Sequence, residues 1–73
     1  MINEEKYREK SREYCRKLQE IASERNITHE MIAERTHFER SNVSRMLSGK
    51  YSPSLENFLK LSEAVGISIE LKI

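Results

Sequence analysis

Small and apolar residues recur through the first third of the chain at alternating spacings of four and three: Tyr7, Ser11, Tyr14, Leu18 and Ile21, with Cys15 and Ala22 widening the stripe. That period places them on one side of an amphipathic helix, predicted over residues 4–25. The positions between them are dense in Glu, Lys and Arg at separations that let opposite charges screen one another, which describes a solvated face. The pattern breaks at Asn26.

Thr28 then has the chemistry of a helix N-cap. Ile27 before it and Ile32 after it have the separation of a hydrophobic staple, which sets how the chain enters the helix. Met31, Ile32 and Ala33 are the apolar positions of this second helix, and Ala33 is small enough for a crossing helix to come close. It ends near Thr36 and His37. Phe38 and Val43 repeat the staple spacing, so a third helix begins at Glu39 or Arg40 despite glutamate being a poor cap. Within it Val43, Met46 and Leu47 point one way, and Ser41, Ser44, Arg45 and Ser48 the other. Gly49 supplies a left-handed stop. Residues 28–48 thus read as two short helices about a tight corner.

A loop follows at Lys50, Tyr51 and Ser52. Pro53 suits the first turn of a fourth helix, predicted over residues 54–65, with Leu55, Phe58, Leu59, Ser62 and Val65 on one face and Leu61 beside it. Gly66 ends it, and Ile67 folds back on Leu61 as in a Schellman cap. The period then changes. Ile67, Ile69, Leu71 and Ile73 alternate with polar residues, the mark of a half-buried strand over residues 67–73. No other segment alternates this way, so the expected partner is the same strand of a second copy, paired across a two-fold axis.

Seventy-three residues suffice for one small domain. A domain of this size buries only ~60% of its extended surface, which makes help from a second copy plausible on physical grounds. The single cysteine, Cys15, permits no intrachain disulfide and reads as a small apolar helix residue. A charged N-terminus and short apolar runs point to a cytoplasmic protein with no membrane contact. The net charge is only +1. Its distribution is more telling: Arg35, Arg40, Arg45 and Lys50 face only Glu39 in the segment around the third helix.

Catalysis is not expected. Aspartate is absent, no serine sits in a glycine-framed elbow, and no glycine-rich phosphate loop occurs. His29, His37 and Cys15 lack the paired spacing of metal ligands, so neither metal nor cofactor is expected. The third helix suits a DNA major groove instead, because small hydroxyls allow close approach and arginine offers a forked donor to guanine.

The order Thr28, Ile32-Ala33-Glu34-Arg35, Ser41-Asn42-Val43-Ser44-Arg45, Gly49-Lys50, Pro53-Ser54-Leu55 and Val65-Gly66-Ile67 resembles the Cro/C1-type (Xre) helix-turn-helix domain of phage repressors and bacterial regulators. The likeness covers well over half the chain. It implies a mainly α, lambda-repressor-like domain of four or five short helices, and the alternating tail is similar to that of antitoxins and repressors whose C-terminal strand pairs across a dimer. The chain departs from the family pattern at His37, where glycine is usual at the corner, at His29 in place of glutamine, and at Leu47-Ser48 in place of Glu-Asn. The resemblance implies a homodimeric transcriptional regulator of double-stranded DNA, a repressor by analogy. Base contacts would fall to Arg40, Ser41, Asn42, Ser44 and Arg45. Phosphate contacts would fall to His29, Ser48, Lys50, Tyr51 and Ser52, and dimerisation to Ile67, Ile69, Leu71 and Ile73. The alternative is an antitoxin or adaptor that holds a toxin or other protein partner and binds DNA to regulate its own operon.

Overall fold

Four helices are present among residues 3–72, the part of the chain that the computed structural model describes: α1 (Glu4–Glu24), α2 (His29–Thr36), α3 (Arg40–Leu47) and α4 (Leu55–Val65). Side chains open three of them. Asn3, Thr28 and Ser54 each accept a hydrogen bond from the backbone N–H three residues on, at Lys6, Met31 and Asn57. Glu39, at the head of α3, makes no such bond. Pro53 precedes the Ser54 cap rather than occupying the first turn of α4.

Helices α1, α3 and α4 end in the same way. Asn26, Gly49 and Gly66 adopt positive φ of 57°, 82° and 90°. In each case the next residue's N–H reaches back five positions: Ile27 to the Ala22 carbonyl, Lys50 to Arg45 and Ile67 to Ser62. These are Schellman closures, and they satisfy carbonyls that a bare helix end would leave without partners. Helix α2 ends differently. His37 takes the left-handed conformation (φ 63°, ψ 22°), while the Thr36 hydroxyl donates to the Ile32 carbonyl and accepts from Phe38 N–H. One threonine thereby shapes the corner between α2 and α3.

The core gathers the inner side of each helix: Leu18 and Ala22 of α1, Ile32 of α2, Val43, Met46 and Leu47 of α3, and Leu61, Ala64 and Val65 of α4. Ile27, Phe38 and Ile67, the residues flanking the caps, pack against it from the edge. Cys15 is fully buried, and that burial pushes its thiol pKa up. Ser62, also buried, donates to the Phe58 carbonyl.

Two apolar stripes are only half covered. At 21 residues α1 is about 31 Å long, whereas α2 and α3 have eight residues each. Tyr7, near the start of α1, and Tyr14, at its middle, stay exposed, as do Leu55 and Leu59 in the first half of α4. The expected C-terminal strand is absent: residues 67–72 have no regular secondary structure. A strand requires a neighbouring backbone to complete its hydrogen bonds, and no strand occurs among the described residues to supply one. Ile67 is half-buried, whereas Ile69 is exposed and Leu71 is 94% exposed. Ile73 lies outside the described residues.

Candidate nucleic-acid interface

The apolar positions of α3 decide its orientation. Because Val43, Met46 and Leu47 are all at most 2% exposed, the other side of the helix must face water. Arg40, Ser41, Asn42, Arg45 and Ser48 are exposed there, and Ser44 is half-buried at the margin. The helix is held at both ends: Val43 N–H bonds to the Glu39 carbonyl at its start, and the Gly49 closure fixes its end. Gly49 is buried against α1. A Cβ there would lie 3.3 Å from Cγ of Arg12, so both the left-handed φ and the close approach call for glycine.

Arg45 lies with its guanidinium carbon 5.5 Å from the centroid of the Tyr51 ring. The aromatic face steadies a long side chain that would otherwise sample many rotamers. Arg40, in the first turn, sits 3.9 Å from the Glu30 carboxylate, with both side chains largely exposed. Such a pair is weak and readily exchanged for another anion. Beyond the helix Lys50, Tyr51 and Ser52 are exposed. The Ser48 hydroxyl donates to the Arg45 carbonyl, at the helix end.

His29 has its ring engaged within the domain. Its Nδ1 lies 2.8 Å from Ser44 Oγ, and its Nε2 lies 2.6 Å from Gln19 Oε1. The ring therefore joins α1, α2 and α3, and only its main-chain N–H at the start of α2 is left free of these contacts. Gln19 was not singled out from the sequence. Its partner lies ten residues away on another helix, and a glutamine on a charged helix face carries no local signal.

Arg35 also has a role that the charge pattern concealed. Its Nη1 donates to the Ala64 carbonyl at 2.7 Å, and Arg25 Nη1 donates to the carbonyls of Val65 and Gly66 at 2.8 and 3.2 Å. Two guanidinium groups thus close the C-terminal end of α4, where the helix dipole is negative. Arg35 is thus directed to the end of α4 with its charge retained, and the cations of α3 and the loop after it are Arg40, Arg45 and Lys50.

A second surface feature contains no α3 residue. The uncovered ends of α1 and α4 form an apolar groove of about 680 Å³, lined by Tyr7, Tyr14, Pro53, Leu55, Phe58 and Ile69 among others. Tyr14 and Phe58 meet in it with ring centroids 6.4 Å apart. No group of three or more His, Cys, Asp or Glu able to hold a metal occurs among the described residues. No helix among them is long and apolar enough to cross a membrane.

Comparison with known proteins agrees with this geometry. The helix-turn-helix family model matches residues 18–72, from the middle of α1 through the tail. The chain is 31% identical over 58 residues to the HTH-type transcriptional activator BcrR of Enterococcus faecalis, an alignment covering 80% of this chain and 28% of that protein. The chain thus spans well under a third of that relative's length. No solved structure matches. With α2 and α3 set about a left-handed corner, the polar side of α3 turned outward, and the family match running through both, the chain belongs to the Cro/C1-type (Xre) helix-turn-helix family of DNA-binding domains.

Proposed function

We propose that this protein is a sequence-specific transcriptional regulator that lays α3 in the major groove of double-stranded DNA and acts as a homodimer. The observation that carries this reading is the outward row of Ser41, Ser44 and Arg45 on a helix anchored by a fully buried opposite side, with Arg45 steadied on Tyr51. Arg45 and Arg40 are the forked donors for guanine, and Ser41, Asn42 and Ser44 are the short groups that reach base edges. Lys50, Tyr51, Ser52 and Ser48 contact phosphate beyond the helix. His29 does so through its main-chain N–H, because its ring is occupied by Gln19 and Ser44. The activity is binding and not catalysis.

Affinity argues for two copies. Three cations around α3 give a weak field for a polyanion, and two modules on one duplex multiply it. The uncovered apolar surface supports the same conclusion: Leu71, Leu55 and Tyr7 are 94%, 73% and 57% exposed. We assign this surface, with the tail residues Ile67, Ile69, Leu71 and Ile73, to the contact between copies, where the tail would gain the backbone partner it lacks alone. Repression is the sign we infer, because a small dimer seated across a promoter excludes polymerase by occupancy alone. The Enterococcus relative is named an activator.

The test is selection from random duplexes by the purified protein, followed by binding at several salt concentrations. The expected result is an inverted repeat with half-sites ~34–36 Å apart and affinity that falls steeply with salt. Absence of any duplex preference at low ionic strength overturns the reading. A protein partner on the same aromatic groove is the second reading, favoured by the stacking surface of Tyr14 and Phe58. A stoichiometric partner co-purifying from the native host would establish it.

A further inference from the structure

The hydroxyl of Ser44 is directed differently from those of three other helical or capping residues. Thr36, Ser48 and Ser62 each donate to a carbonyl of their own helix, at Ile32, Arg45 and Phe58. Ser44 instead turns to His29 Nδ1, 2.8 Å away. The direction of that hydrogen bond follows from the rest of the chain of contacts. Gln19 donates its amide Nε2 to Ser23 Oγ at 3.1 Å, which leaves its carbonyl oxygen facing His29 Nε2 at 2.6 Å. A carbonyl oxygen only accepts, so Nε2 carries the ring proton. In the neutral imidazole Nδ1 is then an acceptor. The remaining donor is the Ser44 O–H, whose one hydrogen goes to the ring.

We propose that His29, set by Gln19, fixes Ser44 as a hydrogen-bond acceptor toward DNA and so makes it select a base bearing an exocyclic amine. In the major groove adenine N6 and cytosine N4 donate, whereas guanine N7 and O6 and thymine O4 accept. A serine whose hydrogen is already committed can accept a hydrogen bond from the first pair and has none to donate to the second. A serine with a free hydroxyl satisfies either kind of edge by rotating. The relay thus converts an indifferent side chain into a discriminating one. His29 is the positioning residue, acting through Ser44 without touching the base. The inference rests on the reading that α3 enters the major groove, and it adds a specific polarity at one base position.

Two measurements on the intact protein test it. The first needs no DNA. A ¹⁵N–¹H correlation of the histidine rings, recorded at about pH 8 where an ordinary imidazole is neutral, is expected to show His29 protonated on Nε2. Protonation on Nδ1 overturns the proposal. The second is duplex selection with the wild type, Ser44→Ala, His29→Asn and His29→Phe. The position that loses preference in Ser44→Ala is the one Ser44 faces. At that base pair the wild type is expected to prefer the duplex with its major-groove amine intact over one in which purine replaces adenine or 2-pyrimidinone replaces cytosine. The preference is roughly three- to tenfold, the size of one neutral hydrogen bond. His29→Asn, whose side-chain oxygen can accept from Ser44 in place of Nδ1, retains that preference. His29→Phe, which cannot accept, levels it while preferences at the other positions persist.

Wild-type binding that is unmoved by removal of the major-groove amine at that base pair overturns the proposal. So does an unchanged preference in folded His29→Phe, or a Ser44→Ala profile identical to the wild type. If His29→Phe does not fold, the tautomer and the wild-type response to amine removal still decide. A wild type lacking preference at every position removes the groove reading itself, and base selection with it. The ring spectrum separates that outcome from a failure of the relay.

Discussion

Arg45 rests its guanidinium 5.5 Å from the Tyr51 ring centroid, linking the exposed side of α3 to the loop that follows it. A stacked arginine keeps its donors in one plane, which is what a forked contact with guanine requires. Arg45→Ala is expected to lower discrimination at one base pair by ~1–3 kcal/mol, with a smaller effect on binding to unrelated sequence. Arg45→Lys should recover the non-specific component alone. Competition binding against single-base variants of the selected site measures both. A uniform loss across all sequences would mean that Arg45 meets phosphate.

Arg25 and Arg35 converge on the last carbonyls of α4 from α1 and α2. Each residue is exposed but its bond is part-buried, and removing either is expected to cost about 1 kcal/mol. Arg25→Met and Arg35→Met should lower the urea midpoint without altering which base pairs the protein prefers. If Arg35→Met instead weakened DNA binding in a salt-dependent manner, Arg35 would be part of the phosphate surface after all.

The left-handed backbone at His37 (φ 63°, ψ 22°) places an L-residue where the family usually has glycine. That conformation costs a side-chain-bearing residue ~1–2 kcal/mol, partly offset by the greater unfolded-state freedom of glycine. His37→Gly is therefore expected to stabilise the protein by about 0.5–1 kcal/mol. His37→Val, β-branched at the same φ, should destabilise it by more than that. Thermal denaturation of the two variants beside the wild type checks the pair.

Local chemistry explains which features could be read from the sequence. Thr28, Gly49 and Gly66 act within a few residues of themselves, so their capping roles follow from residue type and spacing, whereas Asn26 reads in sequence only as a break. The inner sides of α2 and α3 follow from period. The extent of burial along α1 and α4 does not, because Tyr7 and Leu55 obey the helical repeat yet line an open groove and stay exposed. The roles of Arg35, Gln19 and the His29 ring were hidden for a related reason. Each is decided by a partner ten or more residues away on a different helix, and a long polar side chain on a charged surface looks the same in sequence whether or not such a partner exists. The tail shows the opposite case: its alternation is plain, but a strand also needs a second backbone.

Burial pushes the Cys15 thiol up. In the unfolded chain the same group loses its proton near the ordinary cysteine value of ~8.5. Above that pH the unfolded state binds fewer protons than the folded one, so stability falls as pH rises toward the raised folded value. The contribution is fully present below the unfolded pKa. Cys15→Ala removes this component, and the stability difference between wild type and variant should shrink between about pH 7 and about pH 9.5. Native protein should also resist iodoacetamide until denaturant is added. Rapid alkylation of the folded chain would contradict the burial on which this depends.

The exposed apolar side chains of the tail and of the neighbouring groove bear on assembly. Leu71 is 94% exposed and Leu55 73%, and both would leave water if two copies met along this surface. Removing residues 68–73 is expected to convert dimers to monomers and to weaken operator binding, because each monomer then contacts a single half-site. A gentler change separates pairing from folding. Leu71→Glu leaves every core residue in place, yet introduces a charge that a closed interface would have to desolvate. It should dissociate the dimer while the helical content stays unchanged. Sedimentation velocity on the wild type and both variants, beside far-UV circular dichroism, makes the comparison. An undiminished dimer after truncation would move the interface off the tail and onto the helical surface formed by Tyr7, Tyr14 and Phe58.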